Sequence, residues 1–214
     1  MLEIKFQGQV YKEFQTSDEA DAWAWANYAD VLTPSKDNTA YMSVFYYTGS
    51  MSRNWNSVLR HHPSIENGEF EESAKGEFCP DGEQICRIKE VNTVLRQHTI
   101  PENVVVYRYT HKKVLKHLCF PEKIKRLVHF SDKGFFSTTL VKELLVDFAN
   151  KHACNCLLKI YLPAGLQGAY VSLKNPLAKL NEQEILLPPN TKFEIVKIHR
   201  FTRPLMIECK AITP

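Results

Sequence analysis

Glu182-Gln183-Glu184 stands directly ahead of the apolar run ILLP. A strand that begins by Glu182 alternates sides at every residue, which puts both carboxylates on one face and turns Gln183 away. Two acids held together can divide the work: one stabilises a cationic transition state, the other orients or deprotonates a nucleophile, and their repulsion raises one pKa. Two further features could meet them. Arg108 sits at the end of the otherwise apolar run NVVVYRY (103–109), where a guanidinium needs an anion or a carboxylate. Ser137, Thr138 and Thr139 follow Gly134-Phe135-Phe136, where threonines are ordinary strand residues and hydroxyls pair locally. Taken singly, each has a plain structural reading: a solvated strand entrance, a salt bridge, a local hydroxyl pair.

The elements that must position these groups fall into two halves. Thr16 and Glu19 form a Thr-x-x-Glu helix start, followed by Ala20, Trp23, Ala24 and Tyr28 at spacings of three and four. The sets Ala40, Val44, Tyr47 and Ile85, Ile88, Val91, Leu95 continue that period, with SRNWNSVLRHH (52–62) between them. The amino-terminal half therefore reads as helical. Between Pro63 and Gln84, seven acidic residues face one lysine, with three glycines and two prolines. That segment reads as an acidic surface loop of net −6, leaving +9 on the remainder of a chain whose total is +3. After residue 100 the pattern is β-like: NVVVYRY, GFFSTTL (134–140), CLLKIYLP (156–163), GAYVS (168–172), EILLP (184–188), TKFEIVKIHRF (191–201) and LMIECKAI (205–212). One helical stretch interrupts it at about 141–152, with Leu144, Leu145 and Phe148 on one face. Helices first and strands afterwards predict an α+β fold: amino-terminal helices, then a two-sheet, mostly antiparallel sandwich, with no parallel doubly wound sheet.

Composition narrows the classes. The 214 residues are 44% hydrophobic and 24% charged, with 8 glycines and 11 prolines, which excludes a disordered chain and allows a single domain, 1–214, with a full core. A net charge of +3 and a pI near 8.4 fall short of a chain that grips many phosphates, so no nucleic-acid partner is expected. No apolar run approaches the ~20 residues that span a bilayer, and residues 1–14 carry charges where a signal peptide needs an apolar core. The expectation is a soluble chain without membrane insertion. The six cysteines, Cys79, Cys86, Cys119, Cys154, Cys156 and Cys209, include close pairs spaced Cys-x6-Cys and Cys-x-Cys; these predict free thiols, dispensable for catalysis, and no metal site.

The ordered combination carries more than its parts. An Arg on a first strand, aromatic-Ser-Thr-Thr on a second and Glu-x-Glu opening a later one resembles the Arg, Ser-Thr-Ser, Glu-x-Glu pattern of mono-ADP-ribosyltransferase toxins, particularly the enzymatic components of clostridial binary toxins such as iota toxin. Ahead of the triad, EADAWAWANY (19–28) is similar to that family's Ala-x-x-Trp-Gly helix, and YYTGSMSRNWNSVLR (46–60) to its Tyr-Thr-Gly to Asn-x-x-Leu-Arg segment. The resemblance covers nearly the whole chain.

That resemblance implies NAD as co-substrate, with Arg108 on its phosphates and Ser137 holding Glu184, the catalytic acid, by a hydrogen bond. Glu184 would bond the 2′-hydroxyl of the nicotinamide ribose and stabilise the oxocarbenium-like cation, while Glu182 would position the acceptor. Thr138 is carried along as part of the cofactor-binding motif. Phe148 matches an aromatic near nicotinamide, Lys151 a phosphate-binding arginine, and Tyr47 and Asn56 positions lining the cofactor pocket. The chain departs from the pattern at Ser52, Tyr109, Thr139 and Lys151, the last exchanging a bidentate fork for a point charge. The resemblance further implies an arginine acceptor, actin first, because relatives with Gln in place of Glu182 are mostly directed to asparagine or bases. It also implies action in a target cell's cytosol after delivery by a separate component. The alternatives are a catalytically silent binding module and a transferase acting on asparagine or nucleic acid.

Overall fold

The computed structural model describes residues 1–33, 39–62, 81–120, 122–172 and 182–213. It opens with a hairpin absent from the sequence-based expectation: strands β1 (Leu2–Phe6) and β2 (Gln9–Glu13) pair antiparallel around Gln7 and Gly8, whose φ of 49° and 81° give the two-residue turn that twisted strands favour. Helix α1 (Ser17–Leu32) follows, its first turn capped by the Thr16 hydroxyl on the Glu19 amide, with the predicted Ala20, Trp23, Ala24 and Tyr28 face buried. Helix α2 (Thr39–Tyr46) passes through a π-helical turn, Tyr47–Met51, into α3 (Ser52–His61). Residues 63–80 of the acidic segment lie outside the described residues. Its last part is helix rather than loop, because the Asp81 carboxylate accepts the Gln84 amide at 2.7 Å and starts α4 (Gly82–Gln97).

The strands then arrive in the predicted order. They are β3 (Val104–Thr110), β6 (Phe136–Thr139), β7 (Cys156–Leu162), β8 (Ala169–Tyr170), β9 (Glu184–Leu187), β10 (Lys192–His199) and β11 (Leu205–Ile212), with α5 (Lys112–Leu118) and the two-residue strands β4 (Cys119–Phe120) and β5 (His129–Phe130) inserted after β3. A 3₁₀ turn (Lys142–Leu145) and helix α6 (Val146–Lys151) fill the predicted helical interruption.

All pairings are antiparallel except β7 with β11 and a single β2–β3 contact. Hydrogen bonds run in one path, β4-β5-β10-β11-β7-β3-β6-β9-β8, so the layers of the expected sandwich are joined at a seam. There β3 and β6 share only the Tyr107↔Thr139 pair, and the β6-β9-β8 end folds over the longer run. Phe136 on β6 accordingly packs 4.6 Å from Phe193 on β10, four strands away along the path. β3 is buried on both faces: Val104 and Val106 enter the main core, while Val105 and Tyr107 join Tyr11, Leu157 and Tyr161 under the amino-terminal hairpin. Its last three residues, Arg108 to Thr110, are half-buried, so Arg108 sits where the buried run opens out.

The described cysteines are free thiols. Burial pushes Cys119 up to about 11 and Cys156 up to about 12, which leaves both as unreactive thiols at neutral pH. No helix among the described residues is long and apolar enough to cross a membrane, and no cluster of three metal-ligating side chains occurs among them.

Candidate active site

Arg108 projects from β3 into a cleft of about 1100 Å3, just above the range usual for small-molecule sites. Its Nη1 donates to the Ser137 carbonyl at 2.7 Å, and the guanidinium lies 4.4 Å over the Phe136 ring. Burial lowers its pKa, opposed by the nearby Asp132, Tyr47 and Glu184. A guanidinium has five donors; the remaining ones face the cleft and suit an anion.

The two acids come together, though not by simple strand alternation. β9 begins only at Glu184, and Gln183 takes a left-handed φ of 49°. That kink sends its side chain inward, fully buried, where Tyr170 Oη donates to Gln183 Oε1 at 2.5 Å and Gln183 Nε2 donates to Asp21 on α1 at 3.2 Å. The backbone on either side is pinned as well. Thr139 Oγ1 donates to the Glu182 carbonyl at 2.5 Å, Leu140 N–H to the Gln183 carbonyl at 2.9 Å, and Glu184 N–H to Ser172 Oγ at 2.8 Å. Glu182 and Glu184 are thereby delivered to one wall of the cleft. The β6–β9 register puts Thr139 opposite Glu184 and Ser137 two pairs further on, opposite Leu186, so the Ser137 hydroxyl sits diagonally across the same face and hydrogen-bonds the Glu184 carboxylate.

Removing the Gln183 clamp tests its role. Gln183→Ala is expected to lower the turnover of the reaction the two acids serve at least about tenfold with little change in KM, because the acids drift while the rest of the cleft persists. The expected loss of stability is about 1–3 kcal/mol, read from a thermal melt beside the kinetics. Unchanged turnover would show that the strand alone holds the acids.

Electrostatics set the two acids apart from ordinary surface carboxylates. Glu184 is 7% exposed, and its pKa is pushed up to about 7 by burial and by Glu182, against the Ser137 hydrogen bond and Arg108. Burial also raises Glu182. Arg53, Arg60, Arg108 and Lys151 line the same cleft, as does Asp147. One cleft thus offers both cations and carboxylates, a set matched to a ligand that carries both phosphates and a cationic ring.

Of the residues singled out from the sequence, Arg108, Ser137, Glu182, Glu184, Tyr47, Asn56, Phe148 and Lys151 all line this cleft. Thr138 does not. Strand alternation turns it to the opposite face, where its hydroxyl donates to the Ile185 carbonyl at 2.8 Å inside the core; its part is to hold β6 to β9. Asn56 lines the cleft with its side chain already engaged: Nδ2 donates to Tyr47 Oη at 3.0 Å and Oδ1 accepts the Phe135 amide at 2.7 Å, joining the π-turn to β6. Gly134 leaves room for it, since a Cβ there would stand 2.8 Å from Asn56 Oδ1.

Sequence reasoning gave Arg60 no role. Its guanidinium forks onto Asp132 at 2.8 and 2.7 Å. Burial disfavours the Asp132 carboxylate, yet the fork and the Gly134 amide outweigh it and lower its pKa. The available signal was periodicity, since Ser52, Arg53, Asn56 and Arg60 fall on one helical face, and all four line the cleft.

An arginine, a hydroxyl-held acid and a second acid, carried on the two sides of a folded-over sheet, define the class of site that binds a phosphate-bearing ligand and stabilises a cation beside it. The chain belongs to the ADP-ribosyltransferase exoenzyme family, whose model matches residues 20–208. Among solved structures it is similar to a C3 ADP-ribosyltransferase from Clostridium botulinum (20% identity, TM-score 0.70, covering 96% of this chain and 100% of that one). It is similar also to a C3 protein from S. aureus, solved with NAD (18%, 0.71, 95% and 99%). A third is the ADP-ribosylating toxin of a binary enterotoxin of C. perfringens, solved with NADH (20%, 0.65), where 99% of this chain spans 54% of that one. At these identities the likeness concerns the fold. No curated protein sequence matches significantly.

Proposed function

We propose that the protein is an NAD-dependent mono-ADP-ribosyltransferase that modifies an arginine side chain of an acceptor protein, with water as a slower acceptor. The observation that carries this reading is the convergence of Arg108, the Ser137–Glu184 pair and Glu182 on one cleft. Arg108 and Lys151 hold the diphosphate, and Phe148, exposed on α6 at the cleft rim, packs against the nicotinamide. Glu184 accepts a hydrogen bond from the 2′-hydroxyl of the nicotinamide ribose and faces C1′. As the bond from C1′ to the nicotinamide nitrogen breaks, its electron pair leaves with the nitrogen, nicotinamide departs neutral, and positive charge appears on the ribose beside the carboxylate. The acceptor's guanidinium nitrogen attacks C1′, and its proton passes to Glu182 and then to solvent.

Neighbours that are toxins support a role in a target cell's cytosol after delivery by another component. The enzymatic components of binary toxins make actin the first acceptor to test. The direct test is incubation with labelled NAD and a eukaryotic lysate, followed by mapping of the labelled side chain. Label on an arginine is expected. Label on asparagine, cysteine or a nucleobase overturns the acceptor assignment, and absence of both label and nicotinamide release supports a silent binding module instead.

A further inference from the structure

Away from the cleft acids, three connections meet at one end of the sheet. The β3–α5 junction and the start of β11 both rest on Asn155: Lys112 N–H donates to its Oδ1 at 2.8 Å and Leu205 N–H to its carbonyl at 3.1 Å. The β4–β5 connection lies beside β10, with Leu127 N–H donating to the Ile195 carbonyl at 2.8 Å; antiparallel to β10, it comes in from the side of that strand's His199 end before β5 pairs with Phe193 and Glu194. The β10–β11 turn closes the same end.

These connections are basic. Helix α5 exposes Lys112, Lys113 and Lys116; the β4–β5 connection exposes Lys123, Lys125 and Arg126; the β10–β11 turn exposes Arg200 and Arg203. No carboxylate among the described residues forms an ion pair with any of them, and the one acid between β4 and β5, Glu122, faces His117 at 3.7 Å. At the last residue of β4 and in two of these connections stand the most exposed large apolar side chains among the described residues: Phe120 at 88%, Leu127 at 70% and Phe201 at 102%. Leu127 is held outward by a left-handed φ of 62°.

We propose that this end of the sheet is a docking surface for an anionic phospholipid membrane, on which the protein lies without spanning it. Eight cations match the polybasic clusters of about four to eight Lys and Arg that bind acidic headgroups. The apolar tips supply the second signal that stable peripheral attachment needs, with aromatic rings suited to the headgroup level. An acidic protein would neutralise the cations but is a poorer fit to the tips. Side chains so fully exposed touch almost nothing of their own chain, so they form separate points, whereas a protein interface has a continuous apolar core. A bilayer interface accepts separate points.

The test is co-sedimentation of the full chain with phosphatidylcholine vesicles, with and without phosphatidylserine, alongside polyglutamate as an acidic polypeptide. Binding is expected only where phosphatidylserine is present. The charge-reversed variant Lys123→Glu/Lys125→Glu/Arg126→Glu is expected to lower the apparent affinity at least about tenfold. The variant Phe120→Ser/Phe201→Ser is expected to keep a weaker, more salt-sensitive binding. Both variants are expected to release nicotinamide from NAD at the wild-type rate, so a failure of the surface is read separately from a failure of the cleft chemistry. Equal sedimentation with neutral vesicles, no sedimentation with either, or binding to polyglutamate in place of vesicles would overturn the proposal.

Discussion

Glu184→Gln is expected to cut both NAD hydrolysis and transfer to protein by about 10²-fold or more, while NAD affinity changes little and the protein becomes more stable. The loss of rate follows from charge. A carboxylate beside C1′ stabilises the developing cation, a neutral amide does not, and removal of comparable electrostatic groups costs about 10²–10³ in turnover. The gain in stability follows from the pKa. Burial and Glu182 hold the Glu184 carboxyl up at about 7 in the folded protein, above its value in the unfolded chain. The folded state therefore binds the extra proton, and the protein loses stability as pH rises from about 4.5 through 7, by an amount on the order of 3 kcal/mol. An uncharged amide in place of the carboxylate carries no such burden at neutral pH. A thermal melt and a nicotinamide-release assay on the same sample check both signs, and an inactive variant that melts higher cannot be explained by misfolding. The wild-type pH profile provides a second reading. Because the ionised form is the active one, kcat/KM for NAD is expected to rise through about pH 7. Wild-type turnover by Glu184→Gln would remove Glu184 from the chemistry.

The sequence exposed the site's components more readily than the geometry that assembles them. VVVYRY and CLLKIYL are apolar enough to mark β3 and β7 as buried strands, and the capped face of α1 is legible from Thr16 onward. The amino-terminal hairpin is legible too, in LEIKF-QG-QVYKE, two five-residue runs flanking a Gln-Gly turn. Strands β4 and β5 have two residues each, too short for any alternation to register. The convergence of Glu182 and Glu184 followed from their spacing only in outcome. Its cause, the left-handed Gln183 clamped to Tyr170 and Asp21, depends on a contact 162 residues away in the chain. The Arg60–Asp132 fork spans 72 residues, and local pattern carries no trace of such a partner. Thr138 marks the opposite error, since a motif read as a unit included a residue that strand alternation turns into the core.

The second acid separates two activities that share one cleft. Glu182→Gln is expected to abolish arginine modification while leaving much of the hydrolysis of NAD by water. A guanidinium is cationic and weakly nucleophilic at pH 7, so it needs an anion to hold it and to take its proton as the ribosyl cation arrives. Water arrives neutral and loses its proton to solvent, so it needs no such anion. The substitution also acts on its neighbour. Glu182 is one of the two causes that raise Glu184, so removing its charge lowers the Glu184 pKa, and the rise in kcat/KM for hydrolysis is expected to move to lower pH. These two effects have opposite signs near pH 6: transfer disappears while hydrolysis at that pH gains, because more Glu184 is ionised. Measuring label incorporation into an arginine-bearing acceptor and nicotinamide release over pH 5.5–8 (a range of about 2.5 units around the midpoint) checks both. Retained arginine labelling at full rate would remove Glu182 from acceptor chemistry, and an unmoved pH profile would show that the two carboxylates do not interact across the Gln183 kink. Glu182→Lys is no equivalent test: the longer, cationic side chain would pair with Glu184, lower its pKa further and fill the space the acceptor must enter, so loss of transfer there would not distinguish charge from crowding.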